Sequence, residues 1–208
     1  MKLGFITSNP GKLKELSARL GVIGFEVEQL PIYYPELQAE TIDDVALFGF
    51  RWILDNAEKV TEYTSKLEPF DLIFLEDSGL FVHALNNFPG VYSKFVFTTV
   101  GYQGVLELMN EKTDRVAHFE SLIAVLDLRS KAEFNSDLMD QVKLFKGSCE
   151  GEIASKPHGY QGFGFDPIFI PKGETRTFAE MEPEEKNKFS HRGKAMEQLV
   201  DFLSANLG

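Results

Sequence analysis

Two long segments with the character of strands, in the middle of the chain, limit the possible folds more than any other feature of the sequence. Val116–Asp127 and Val142–Ile153 both have the composition of long strands, and a polar segment around residues 131–140 joins them. Two long strands that are adjacent in the sequence favour a mixed sheet over a purely parallel one. The centre of the chain therefore predicts a long mixed sheet.

Shorter strands and helices alternate near the N-terminus. Leu3–Thr7 and Phe25–Leu30 are predicted strands, and Lys12–Leu20 between them is a predicted helix. Asn9 is suited to cap that helix, and Pro10 fits its first position. This arrangement predicts a strand, a polar loop and a helix in direct succession.

The alternation continues towards the C-terminus. Thr41 can cap a long helix, and the apolar strand Asp71–Leu75 is expected to end at Glu76-Asp77. Further helices are predicted at Tyr102–Asn110 and after Ser190. The interleaving predicts an α/β (mixed α+β) fold, with a long mixed central sheet flanked by helices in a single domain spanning residues 1–208.

The overall charge and the cysteine content exclude several classes of partner. The chain has a formal net charge of −11, which argues against binding to nucleic acid or to an anionic membrane. Cys149 is its one cysteine, so an intramolecular disulfide is excluded and a reducing compartment is favoured. The N-terminus lacks the apolar region of a signal peptide. A cytoplasmic protein that uses no nucleic acid and no membrane is therefore expected.

A basic run near the C-terminus contrasts with this acidity. Residues 186–194 contain four positive charges and no negative charge. Such a cluster in an acidic chain points to a local anion site, although an isolated basic run is more often a solvated turn. Ser190, His191 and Arg192 also supply the donors that would read a polar ring edge.

The loop after the first strand offers related chemistry. Thr7, Ser8, Asn9 and Lys12 supply hydroxyl, amide and amino groups, and free backbone N–H groups are expected at the helix N-terminus. These groups predict a phosphate cradle. The alternative is an ordinary Asn-Pro-Gly turn.

Carboxylates that would suit a hard cation occur in two places. Glu76 and Asp77 follow an apolar strand, where sites in α/β sheets are commonly found, and only one of two neighbouring side chains is expected to enter the site directly. Glu36 is a second candidate, ahead of Glu40, which can be explained by the adjacent helix N-terminus. Mg²⁺ takes one or two such carboxylates together with phosphate oxygens.

Two further segments carry candidate ligand groups. Lys94 follows a Pro-Gly turn, and it is either a phosphate contact or a surface lysine. The segment 159–167 combines three glycines with aromatic residues, so it is either a base-stacking loop or a bend in the core. Asp166 within it could accept hydrogen bonds from ring N–H groups.

Taken together, these segments resemble the inosine triphosphate pyrophosphatase family, also called the Ham1 family. The resemblance runs in order through Thr7-Ser8-Asn9 with Lys12, Glu76–Leu80, Phe88–Lys94, Gly162–Pro167 and Thr177–Arg192, and it spans nearly the whole chain. It implies two lobes with a cleft between them, commonly in a homodimer. It also implies Mg²⁺-dependent hydrolysis of ITP, dITP and XTP to the monophosphate and pyrophosphate.

The same resemblance implies a role for each matching residue. Glu36 and Asp77 would bind the metal, and Asp77 would accept the proton of the attacking water. The implied triphosphate and pocket contacts are Thr7, Ser8, Asn9, Lys12, Ser78, Gly79 and Lys94. The implied contacts to the nucleoside are Phe163, Gly164, Phe165, Asp166, Lys186, His191 and Arg192.

The sequence departs from the family pattern at one position, and two alternative functions remain open. Phe48 stands where some members of the family carry a lysine, with Arg51 nearby as a possible substitute. The alternative functions are a pyrophosphatase for modified pyrimidine nucleotides and a nucleotide sensor that does not hydrolyse its ligand. Donors from His191 and Arg192 would favour a purine with a carbonyl at position 6 over adenine.

Overall fold

The computed structural model describes residues 1–35, 37, 39–57, 61–129 and 136–207. Its strands are β1 (Lys2–Ile6), β2 (Glu26–Gln29), β3 (Leu72–Val82), β4 (Pro89–Gly90), β5 (Val116–Asp127), β6 (Lys143–Ile153) and β7 (Phe169–Pro171). Its α-helices are α1 (Pro10–Gly21), α2 (Ile42–Ala57), α3 (Thr61–Leu67), α4 (Ser93–Thr99), α5 (Gly101–Leu108), α6 (Pro183–Asn187) and α7 (His191–Leu207). The predicted metal ligand Glu36 and part of the 131–140 segment lie outside the described residues.

One mixed sheet contains all of these strands, which confirms the predicted fold class. The strand order is β2-β1-β3-β5-β6-β7, and β4 pairs separately with β3. β1 is parallel to both β2 and β3. All other pairs are antiparallel, including the two long central strands β5 and β6.

The sheet has a short opening along one edge of β3. Pairing with β1 stops at Leu75, and pairing with β4 starts at Leu80. Among the described residues, no strand pairs with 76–79 on that edge. The opening lies at the carboxyl end of the parallel strands, where α/β sheets commonly place their ligands.

The expectation that the strand ends at Leu75 is wrong. β3 continues to Val82 because β5 pairs with it along its full length, from Leu72 opposite Asp127 to Val82 opposite Ala117. Glu76 and Asp77 therefore lie within a strand, and their side chains point to opposite faces.

Helices cover both faces of the sheet around the opening. α2 packs its buried residues against one face, together with Ile73 and Leu75 of β3. α1 and α7 pack against the other face, together with Leu72 and Phe74. A third apolar cluster, rich in phenylalanine, surrounds the second half of β3 and the first half of β5. No described helix is long and apolar enough to cross a membrane.

Candidate active site

The candidate site is built around the opening in the β3 edge. The loop between β1 and α1, the loop 159–166 and the start of α7 meet there on the face that carries Glu76. On the opposite face, Asp77 follows Leu75, whose side chain packs near Gly49 of α2. Groups from distant parts of the chain therefore meet at one point of the sheet.

Asn9 shapes the loop between β1 and α1. Its Oδ1 accepts hydrogen bonds from the backbone N–H groups of Gly11 (2.9 Å) and Lys12 (3.2 Å). The N–H of Asn9 itself donates to Thr7 Oγ1 at 3.1 Å. The predicted N-cap is therefore confirmed. The expectation of free N–H groups at this helix end is wrong, because the N–H groups of Gly11 and Lys12 already donate to Asn9. Ser8 is exposed beside them.

Lys12 and Arg192 meet at the carboxylate of Glu76. Lys12 Nζ lies 2.6 Å from Glu76 Oε2 and also donates to the backbone oxygen of Glu76 at 3.2 Å. Arg192 Nε donates to Glu76 Oε1 at 3.1 Å, and the Ser121 hydroxyl donates to the same oxygen at 2.8 Å. The Glu76 side chain is 3% exposed. Sequence reasoning considered it only as one of two neighbouring carboxylates and gave the metal and proton-accepting roles to Asp77.

The charge state of Glu76 follows from these contacts. Burial opposes ionisation, but the charges of Arg192 and Lys12 outweigh it and hold the pKa of this carboxyl well below its usual range. Glu76 is therefore an ionised carboxylate in the interior, held by two cations. The Arg192 pKa is raised by the nearby carboxylates against the effect of its burial, so the guanidinium stays charged.

Arg192 has further partners in the site. Its Nη1 donates to Glu15 of α1 at 3.0 Å, and its Nη2 donates to Ser78 Oγ at 3.2 Å. The guanidinium carbon lies 5.2 Å from the centre of the Phe163 ring. Ser78, which was expected to line the triphosphate pocket, is thus a partner of Arg192.

His191 lies directly before this arginine. It is 3% exposed, and its ring is stacked on Phe119 with the centroids 4.5 Å apart. Burial and the nearby charges of Arg192 and Lys186 lower its pKa well below the usual range, so the imidazole is neutral. Its Nδ1 is buried and has no hydrogen-bond partner within the described residues. An unsatisfied buried nitrogen of this kind suits a polar ligand.

Lys186 and Asp166 form a second buried ion pair. The ammonium lies 2.7 Å from Asp166 Oδ2, and the two side chains are 7% and 4% exposed. The same oxygen accepts the Phe163 N–H at 2.8 Å. Gly162, with a φ of 72°, brings the backbone so close that a Cβ there would overlap this carboxylate. The pair therefore fixes the 159–166 loop.

The two aromatic residues of this loop differ in accessibility. Phe163 is 37% exposed and faces the start of α1, where a Cβ on Gly11 would lie 3.6 Å from its ring. Phe165 is 4% exposed and packs edge-on against Phe97 with the centroids 5.6 Å apart. The Phe165 ring therefore belongs to the core, and a contact between this residue and the nucleoside stays a prediction. Gly164 has a φ of 65° and open space around it.

The turn at β4 brings Lys94 to the same region. The buried Ser93 hydroxyl accepts the Leu80 N–H at 2.8 Å and donates to the Gly90 oxygen at 2.7 Å. Lys94 follows at the start of α4 and is exposed. Gly79 allows β4 to come this close, because a Cβ there would overlap the Gly90 carbonyl.

The described residues contain no group of three or more His, Cys, Asp or Glu side chains that could hold a metal ion. Mg²⁺ usually takes one or two protein carboxylates and completes its shell with water and phosphate oxygens. Asp77 fits such a site. Glu76 does not, because its carboxylate is already neutralised by two buried cations: Lys12 lies 2.6 Å from Oε2, and Oε1 accepts hydrogen bonds from Arg192 and Ser121.

A cavity of about 700 Å³ lies elsewhere, between β5, β6 and β7. Its lining includes Glu120, Glu150, Glu152 and Glu174. Lys172 also lines this cavity, but the carboxylates outnumber it, so the negative lining disfavours an anionic ligand.

Comparisons with known proteins found similar sequences and a similar fold. The model of the Ham1 family matches residues 3–202. The dITP/XTP pyrophosphatase of Thermococcus kodakarensis is 46% identical over 100% of both chains, and that of Pyrococcus horikoshii is 44% identical over 100% of this chain and 99% of the relative. The solved structure of a HAM1 protein from Coxiella burnetii has a TM-score of 0.79 and 29% identity, with 99% of each chain covered.

The family match covers far more than half of the chain, and the curated relatives are similar over their whole length. The chain therefore belongs to the Ham1 family.

Proposed function

We propose that this protein hydrolyses the non-canonical purine nucleoside triphosphates dITP, XTP and ITP to the monophosphate and pyrophosphate. The observation that carries the proposal is the opening at residues 76–79, which has Lys12 on one face of the sheet and Asp77 on the other. A cation and a carboxylate on either side of a triphosphate would bind its charge and activate a water molecule. The full-length relatives named dITP/XTP pyrophosphatase support this reaction.

We assign the triphosphate end to the β1–α1 loop and its surroundings. Thr7, Ser8, Asn9, Lys12 and Lys94 would contact phosphate oxygens. Water attacks the α-phosphorus, the bond to the bridging oxygen breaks, and pyrophosphate leaves. Asp77 accepts the proton of the attacking water. Positioning and fixed charges provide most of the rate acceleration in such phosphoryl transfer.

We propose Glu36 and Asp77 as the carboxylates that hold Mg²⁺. Tyr34, two residues before Glu36, packs against Gly49 on the same face of the sheet as Leu75, two residues before Asp77. The metal would neutralise charge on the phosphate oxygens. The family resemblance further suggests a homodimer that acts in the cytoplasm. Light scattering of the purified protein would test the dimer.

We assign the nucleoside end to the loop 159–166 and the start of α7. Phe163 offers an exposed ring face for stacking, and His191 Nδ1 is a buried nitrogen available to the base. Lys186 and Arg192 would supply positive charge beside a base carbonyl. A donor directed at position 6 accepts hypoxanthine or xanthine and opposes the amino group of adenine, at a cost of about 1–3 kcal/mol for each unpaired donor.

The decisive assay is pyrophosphate release from a panel of canonical and deaminated nucleotides with Mg²⁺ or with a chelator. We expect Mg²⁺-dependent release from dITP, XTP and ITP, and a loss of about 10²-fold or more in Asp77→Asn. Asp127→Asn is the matched control, since this aspartate lies at the far end of β5 and pairs with Arg129. Release of orthophosphate in place of pyrophosphate would refute the assignment.

A further inference from the structure

Glu76 is the point where the two ends of the proposed site are joined. One of its carboxylate oxygens pairs with Lys12, assigned to the phosphates, and the other pairs with Arg192, assigned to the base. We propose that Glu76 is a positioning residue, which holds Lys12 and Arg192 so that the triphosphate and the base are aligned for hydrolysis. This inference rests on the proposed function.

The carboxylate of Glu76 is itself held in a fixed position. It lies on the central strand β3, and the fully buried Ser121 of the adjacent strand β5 donates to Oε1 at 2.8 Å. With 3% of the side chain exposed, water does not compete for its oxygens. Glu76 is thus a rigid acceptor with three side-chain donors around it.

The two cations that pair with Glu76 come from different helices. Lys12 belongs to α1 and Arg192 to α7, two helices that lie on the same face of the sheet. The two residues are remote in sequence, and they meet at a common carboxylate: Lys12 forms an ion pair with Oε2 at 2.6 Å, and Arg192 donates to Oε1 at 3.1 Å. Charged hydrogen bonds are shorter and more directional than neutral ones, so they define the separation of the two cations.

The relative positions of Lys12 and Arg192 determine how the bound nucleotide is aligned for catalysis. A nucleotide bound by Lys12 at one end and by Arg192 at the other reacts only if the α-phosphorus lies correctly relative to Asp77. Displacement of a binding group by about 1 Å can lower a rate by about 100-fold. Removing the Glu76 charge leaves both cations in place to attract an anion, so binding should persist while alignment is lost.

The kinetic test is Glu76→Gln, assayed by pyrophosphate release from the preferred nucleotide. We expect kcat to fall by about 10- to 100-fold while KM does not rise. Unchanged kcat would overturn the proposal, and so would a rise in KM with kcat retained. A residue with only a structural role would lower the fraction of active enzyme and its melting temperature without this selective effect on the turnover of the folded protein.

A double-mutant cycle with Lys12→Met tests whether Glu76 acts through Lys12. We expect the double variant Lys12→Met/Glu76→Gln to lose clearly less activity than the product of the two single losses, and the loss that remains beyond Lys12→Met is the part that acts through Arg192. Glu15→Gln is the matched comparison, since Glu15 pairs with Arg192 at 3.0 Å but not with Lys12. Its loss should multiply with that of Lys12→Met. The proposal would be refuted if the activity losses of Glu76→Gln and Lys12→Met simply multiplied. It would also be refuted if Glu15→Gln showed the same coupling to Lys12→Met as Glu76→Gln does.

Glu76→Asp provides a second variant if Glu76→Gln does not fold. It keeps the buried charge but is one methylene too short to reach both cations, so the same fall in kcat is expected. Crystal structures of the wild type and the folded variant give a readout that needs no turnover. Lys12 Nζ should move by about 1 Å or more, and an unmoved Lys12 would overturn the proposal even if the wild type released no pyrophosphate and the proposed function failed.

Discussion

The buried pair of Lys186 and Asp166 allows a quantitative test of how the 159–166 loop is held. The two charges are 2.7 Å apart and almost inaccessible to water. At an effective dielectric constant of about 20, their attraction is roughly 6 kcal/mol, much of which offsets their desolvation. Asp166→Asn removes this attraction and leaves the Lys186 charge buried without a carboxylate. We expect a loss of about 3–5 kcal/mol in the free energy of unfolding.

Urea unfolding at pH 7, followed by circular dichroism, measures this loss. Lys172→Met is the matched control, because the pair of Lys172 and Glu150 has a similar distance of 2.6 Å while its side chains are 77% and 68% exposed. The control should be almost unchanged, since water already solvates both of its charges. The double variant Asp166→Leu/Lys186→Met should recover part of the stability lost in Asp166→Asn. If Asp166→Asn cost no more than the control, burial would not be what makes this pair important.

Three further predictions address the same region. His191→Gln should flatten the pH dependence of stability below about pH 6.5, because the lowered pKa of folded His191 makes the unfolded state bind a proton that the native state does not, a loss of up to about 1.4 kcal/mol per pH unit on acidification. Urea unfolding at several pH values measures this, and equal slopes of the unfolding free energy against pH in the wild type and the variant would contradict it. Gly79→Ala should cost about 1–3 kcal/mol by pushing β4 away, whereas Gly21→Ala, with open space at its Cβ, should be tolerated in thermal unfolding. Phe165→Ala should lower stability by about 3–5 kcal/mol, whereas Phe163→Ala should chiefly raise KM; the reverse pattern would exchange their assigned roles.

Local patterns in the sequence were sufficient to predict much of the fold. β5 begins and ends at the predicted residues, Val116 and Asp127, and Asn9 caps α1 as expected. α7 starts directly after Ser190. These features depend on neighbouring residues, so composition and spacing are sufficient to find them.

Features that depend on distant partners were missed or mistaken. The length of β3 follows from its pairing with β5, which local apolarity does not reveal. Glu76 is 64 residues from Lys12 and 116 from Arg192, so its role is visible only in three dimensions. The burial of Phe165, two residues from the accessible Phe163, depends on packing against Phe97. The alternation of side chains along a strand, by contrast, is a local rule, and it correctly predicted that Glu76 and Asp77 point to opposite faces.

The opening in the β3 edge also bears on how the protein avoids self-association. An unpaired strand edge normally offers its backbone to a strand from another molecule. Here β1 and β4 close the edge on both sides and leave only residues 76–79 without a strand partner in the described part of the chain. So short a stretch admits a small molecule but gives an incoming strand little to pair with. The same backbone groups cannot be removed by changing side chains, so hydrogen bonding to them would survive most substitutions around the opening.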